Sequence, residues 1–242
     1  MVSYFLAEVY RLLHKKSTYI YFGILAFAYV LLTYVRSGGF DANSVVSEAS
    51  MFFVFMPALV GGFLFAAIYT DDLNSKNLIT LVGFGLSKVK IVITKLFLMA
   101  LFCAVVFALL YVLHCAIYAL LGWELTGSTL MTLGVLLLKY LLATIAFSAL
   151  SGVVVYGTQR TTFSIVLFIL LAFGVIGSLV SMLLNTFAPD LVTYLMSGIS
   201  EQIATGILNG DSLLLPVIKY FVYVVIAVAL SVVAFYRKEM EF

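Results

Sequence analysis

The chain has 242 residues, 64% of them hydrophobic and only 10% charged, with a formal net charge of +2 and a mean hydropathy of +1.21. A soluble domain averages about a quarter charged residues and under half apolar ones, so water is excluded as the solvent for most of this protein. A hydrocarbon core of roughly 30 Å takes about 20 apolar residues per helix, which leaves room for about six crossings and none for a large extramembrane domain.

The first segment, residues 1–17, has helical periodicity. Phe5, Leu6, Val9, Leu12 and Leu13 share one face and Glu8, Arg11 and Lys15 the opposite one, the pattern of a helix lying flat on a membrane surface. The alternative is a first span that simply runs past the bilayer edge. The interrupting charges and the lack of a small-residue cleavage site are unlike a signal peptide, so insertion is expected to rely on the first true span.

Six apolar stretches follow, at 19–35, 51–69, 91–121, 130–156, 163–184 and 217–236. They are too long and too continuously apolar for barrel strands, which alternate, and helices satisfy their own backbone in lipid. The expected fold is an all-α polytopic membrane protein: six transmembrane helices in a single domain over 1–242, with an interfacial helix before them. Of the 13 Lys and Arg, ten fall on one side of such a bundle: Arg11, Lys15, Lys16, Lys76, Lys88, Lys90, Lys95, Arg160, Arg237 and Lys238. Basic loops stay in the cytoplasm, so both termini are expected there, at a cell membrane. Arg36, Lys139 and Lys219 are the exceptions. Asp41, Glu48, Glu124, Asp190, Glu201 and Asp211 fall on the outer side.

The cytosolic segment 70–90 starts with Asp71-Asp72, continues through an apolar middle and breaks at Gly83-Phe84-Gly85. An acidic start and a glycine stop describe a short capped helix, after which Ser87 can cap the helix entering the third span. The segment also reads as a topogenic loop whose charges serve orientation only. On the outer side, segment 185–216 carries Val192, Leu195, Met196, Ile199, Ile203 and Ile207 at helical spacing. A short helix capping the bundle and a surface loop with a weakly amphipathic turn both fit.

Within the spans, Lys139 is the most expensive residue if it faces lipid, at least ~2.5 kcal/mol on insertion scales. It either snorkels to the outer headgroups or finds a partner, for which Glu124 is a candidate. His114 reads as a neutral, hydrogen-bonded imidazole or as part of a proton relay. Gly61, Gly62, Gly174 and Gly177 mark close helix packing, and Pro57 is expected to kink the second span. Cys103 and Cys115, twelve residues apart on one helix, are separated by about 18 Å, too far for a disulfide.

There is no GxxxxGK[ST] phosphate loop, no HExxH zinc helix and no GxSxG nucleophile turn, and His14 and His114 lie on different segments. No catalytic residue, metal or cofactor is expected in this chain, and no nucleic-acid partner. Work must draw on a gradient or on another subunit.

The arrangement resembles the membrane subunits of type-2 ABC exporters, especially the short permeases of bacterial peptide and bacteriocin export or immunity systems. The most specific stretch is Asp71-Asp72, a short helix, Gly85-Leu86-Ser87-Lys88 and Lys95-Leu96 entering the third span. The family often has Glu then Gly-Thr where this chain has Asp72 then Ser75-Lys76, and Arg in place of Lys88. The resemblance implies two permease chains, identical or related, with separate ATP-binding subunits that hold ATP and Mg. It also implies a pathway for a peptide or an amphipathic, hydrophobic substrate lined by the second and fifth spans. Leu78, Ile79, Leu81 and Val82 would fill a groove on the ATPase, with Asp71, Asp72 and Lys76 at its rim, and the helix bearing Phe5, Glu8, Val9, Arg11, Leu13 and Lys15 would move with them. A gradient-driven carrier or channel without an ATPase, or a membrane scaffold, is the alternative.

Overall fold

The computed structural model describes residues 2–37, 45–74, 77–122, 125–209 and 212–237, excluding the side chains of 2, 36–37, 45, 71–74, 77–79, 204 and 207–209. Every regular element among them is helical: α1 (Val2–Leu13), α2 (Lys16–Ser37), α3 (Val45–Phe53), a π-turn (Pro57–Gly61), α4 (Gly62–Asn74), α5 (Asn77–Gly83), α6 (Lys88–Leu120), α7 (Gly127–Thr158), α8 (Thr161–Ala172), α9 (Val175–Phe187), a 3-10 turn (Pro189–Tyr194), α10 (Met196–Asn209) and α11 (Leu214–Arg237).

Lys16–Val35, Val46–Thr70, α6, α7 and α11 are each long and apolar enough to cross a membrane. The helices α8 and α9 pass that test together but meet at a bend of 62°, giving a sixth crossing if the pair is one span. The chain is an all-α, multi-pass membrane protein. The 33 residues of α6 and 32 of α7 are about 50 and 48 Å long. Both exceed the hydrocarbon thickness and must tilt or project.

Two local departures from straight helices matter. Pro57 has no N–H to give and clashes with the preceding turn in an α-helix. The chain absorbs it in the π-turn, whose Leu59 carbonyl accepts a hydrogen bond from the Tyr21 hydroxyl at 2.8 Å. The expected kink is thus a widened turn within one continuous crossing. The fifth span, expected to run unbroken over 163–184, instead stops at Phe173 and restarts after Gly174, whose φ of 73° belongs to the left-handed region that only glycine enters freely.

α7 is the central element, packed along α11 and also against α6 and α8. At one end of the bundle, called here the α1 end, the Lys88 ammonium donates to the Phe235 carbonyl at 2.7 Å and the Tyr156 and Phe235 rings lie 4.9 Å apart. The start of α6 and the ends of α7 and α11 are thereby gathered beside α1. At the opposite end, α10 caps the bundle. Ile199 and Ile203 are buried against Ala143, Ala146 and Tyr220, and the Tyr220 and Tyr223 hydroxyls donate to the Met196 and Tyr194 carbonyls at 3.1 and 2.7 Å.

Segment 70–90 differs from its expected form. Asp71 and Asp72 lie within α4, which runs without a break from Gly62 to Asn74, so they do not start a new helix; α5 is described from Asn77, and Ser75 and Lys76 lie outside the described residues. Nothing between Gly62 and Asn74 breaks the helix, so α4 carries the acidic pair. α5 closes as a Schellman motif, with the Leu86 N–H on the Leu81 carbonyl at 3.1 Å and the Gly85 N–H on Val82 at 2.9 Å; Gly85, at φ 85°, takes the left-handed position. Ser87 caps α6, its hydroxyl accepting the Lys90 N–H at 3.4 Å.

Candidate functional site

The charged residues of α1 do not all face water as their pattern predicts. Glu8 is only 7% exposed, while the apolar Leu6 and Leu13 are 58% and 46% exposed. The helix is turned so that Phe5, Glu8, Val9 and Leu12 meet the bundle. The cause is Lys95, one of the largest fully buried side chains at 1% exposure. A buried ammonium needs an acid and hydrogen-bond acceptors. Its Nζ donates to Glu8 Oε2 at 2.9 Å and to the Ile68 carbonyl at 3.2 Å. Arg11 Nη2 donates to the same Glu8 oxygen at 2.7 Å and reaches the Ile68 carbonyl at 3.5 Å. One carboxylate and one backbone carbonyl thus join α1, α4 and α6. Lys15 is half-buried at the end of this face.

α5 follows α4 in the chain, packs against it, and leads into α6. Leu81 and Val82 are half-buried and pack against the protein's own core. Phe84, in the turn after α5, is 83% exposed. The side chains of Asp71, Asp72, Leu78 and Ile79 and the whole of Lys76 lie outside the described residues.

A second feature is a cavity of about 560 Å³ formed where the fifth span breaks. Pro57, Lys139, Gly174 and Gly177, read separately from the sequence, converge on its wall. Gly174 and Gly177 do not mark close packing: a Cβ at either would meet nothing within 4 Å. Gly61 does, since a Cβ there would lie 2.5 Å from Thr144 Cγ2 and 2.8 Å from Phe168 Cζ. Gly62 sits in ordinary contact with Phe168 at 3.9 Å. Lys139 lines the cavity, its Nζ 4.9 Å from the centre of the Tyr140 ring. Its described acidic neighbour is Glu201 of α10, which acts on it through space; Glu124 lies outside the described residues.

A third, smaller cavity of about 310 Å³ is bordered by Tyr29, Thr33, Glu48, His114 and Tyr118. His114 is buried, shares a hydrogen bond with the Tyr29 hydroxyl through Nδ1, and packs at a tilt against the Phe53 and Tyr118 rings. Its Nε2 has no hydrogen-bond partner among the described residues. No group of three His, Cys, Asp or Glu side chains that could hold a metal ion occurs among the described residues.

No protein-family model matches the chain, and no curated protein does. The site is therefore read from its own geometry. Sequence reasoning missed the Glu8–Lys95 pairing and the broken fifth span. The available signals were a lysine well inside the third helix facing a single acid in the first segment, and Phe173-Gly174 within an otherwise unbroken apolar run.

Proposed function

We propose that the chain is the membrane-spanning permease subunit of an ATP-driven ABC exporter. It would work as a pair of identical or related permeases joined to separate ATP-binding subunits, with both ends of the chain on the cytoplasmic side of a cell membrane. The observation that carries this reading is the junction at the α1 end. Glu8, Arg11 and Lys95 bolt α1 and α4 to α6, and α5 is tied by the chain and by packing to α4, so a push on α1 or α5 would be delivered to the second and third spans together. The second span also brings Pro57 to the wall of the large cavity. Rigid elements coupled in this way can exchange packing as units, and a π-turn and a glycine break are the compliant points. Phe84 would be the aromatic anchor in an ATPase groove, the kind of residue that dominates binding, with ATP and Mg held by the partner. The cavity would form the route for an amphipathic or hydrophobic substrate.

A gradient-driven carrier would need neither partner and would draw on His114 and Lys139. These two lie in separate cavities, and among the described residues neither forms an ion pair with an acid, which favours the ATP-driven reading.

Gentle extraction from native membranes with an affinity tag on this chain tests it. An ATP-binding subunit is expected to co-purify and to turn over ATP, while the chain alone does not. ATP turnover by the chain alone, or solute movement driven by a gradient in vesicles containing only this chain, would sink the proposal.

A further inference from the structure

The walls of the 560 Å³ cavity carry a single charged side chain, Lys139. Among the described residues its Nζ makes no ion pair: Glu201 of α10 acts on it only through space, beyond contact, and the face of Tyr140 is a weaker substitute for an anion. Lys139 is twelve residues beyond Gly127, about 18 Å along a helix of about 48 Å. With α7 centred on a hydrocarbon core of about 30 Å, the Lys139 Cα sits roughly 9 Å inside that core on the α10 side, and the ammonium lies between that depth and the interface, since helix side chains lean toward the N-terminus. A charge at that depth is costly unless something answers it. The first turn of α9, through Gly174, Gly177 and Ser178, lines the same cavity and adds the positive end of a helix dipole. Both features favour a negative group.

The remaining wall is mostly apolar, including Ala143, Phe147, Leu171 and Val180. Its hydroxyls are those of Tyr140, Ser178, Ser181, Ser197, Ser200 and Tyr223. Of these, Ser178 donates to the Gly174 carbonyl at 2.8 Å, Tyr223 to the Tyr194 carbonyl at 2.7 Å, and Ser200 is bonded to Tyr220, which leaves few donors for the carbonyls of a peptide. A peptide backbone would leave most of its C=O groups unmatched against such a wall, at a cost of about 1–3 kcal/mol each. An acyl chain has none to leave. The volume lies within the roughly 300–1,000 Å³ of sites for one drug-sized ligand.

We infer that this cavity binds a single-chain amphiphile with a carboxylate head, the carboxylate on the Lys139 ammonium and the acyl chain along the apolar wall. As a binding site this stands on the cavity alone. As an identification of the exported substrate class it rests on the transport reading above.

The test titrates the full chain, in nanodiscs of neutral phosphatidylcholine, with dansyl-labelled undecanoic acid and with its methyl ester. Wild type is expected to bind the acid at least about tenfold more tightly than the ester. Lys139→Met should reduce that preference to about twofold or less without weakening ester binding, and Lys139→Arg should retain it. Lys219→Met serves as a charge control, because Lys219 is bonded to Gln202 on α10 and does not line the cavity. If Lys139→Met fails to fold, Gly177→Phe, at a wall position where a Cβ would meet nothing within 4 Å, fills the cavity and keeps the charge, and should weaken acid and ester alike. Equal binding of acid and ester to wild type, or a preference that survives in Lys139→Met, would overturn the site. An apolar peptide with a free carboxyl terminus that displaces the fatty acid at lower concentration would overturn the acyl occupant. Acid-selective binding without ATP-driven movement of the probe in partner-containing vesicles would defeat the transport reading alone. ATP-driven movement of a neutral probe without acid selectivity would defeat the site alone.

Discussion

Glu8 and Lys95 are 87 positions apart in the chain and 2.9 Å apart at the α1 end of the bundle. Their contact decides which side of α1 is buried. Arg11 shares the same carboxylate oxygen, so Glu8 is the hub of the junction and Lys95 its most buried member.

Removing the hub should cost more than removing one cation. Glu8→Gln is expected to destabilise the protein by about 3–5 kcal/mol, as when one partner of a buried ion pair is lost. Lys95→Met should cost less because Glu8 keeps Arg11, and the double variant should recover part of the loss. Thermal unfolding in detergent measures this; strictly additive losses would show that the two residues are not coupled.

Gly61→Ala should overpack the contact between the second span, α7 and α8. With the new Cβ at 2.5 Å from Thr144 Cγ2 and 2.8 Å from Phe168 Cζ, the expected cost is about 1–3 kcal/mol. Thr144→Ser, which deletes the nearer methyl, should restore part of it. A Gly61→Ala protein as stable as wild type would mean the spans shift apart freely.

The proposed orientation predicts a labelling pattern. In a background lacking Cys103 and Cys115, Thr205→Cys on exposed α10 should react with a membrane-impermeant maleimide in intact cells. Phe84→Cys should react only after permeabilisation. The reverse pattern would invert the bundle and remove α5 from any cytoplasmic partner.

The turn after α5 distinguishes anchor from core. Phe84→Asp should abolish co-purification of an ATP-binding subunit while leaving thermal stability unchanged. Leu81→Asp should instead lower stability, because Leu81 packs on the protein's own core. If Leu81→Asp leaves stability intact and Phe84→Asp leaves partner binding intact, α5 is not read by a partner through this turn.

The sequence by itself determined the solvent, the helical class and where the long spans run, because these follow from local hydropathy and from backbone groups that lipid cannot satisfy. It also determined the Ser87 cap and the Gly85 stop of α5, which depend on residues a few positions apart. Only the tertiary structure decided which faces turn inward. In lipid an apolar side chain is equally at home outside and inside, so the Leu6 and Leu13 face of α1 carries no instruction to be buried, while the Glu8 carboxylate is held inward by an ammonium from another helix. The same holds for the cavity. Pro57, Lys139, Gly174 and Gly177 are each legible as unusual in a span, yet their meeting depends on a 62° bend and on how α7 packs. Those are set by contacts between distant segments, not by the pattern of any one of them.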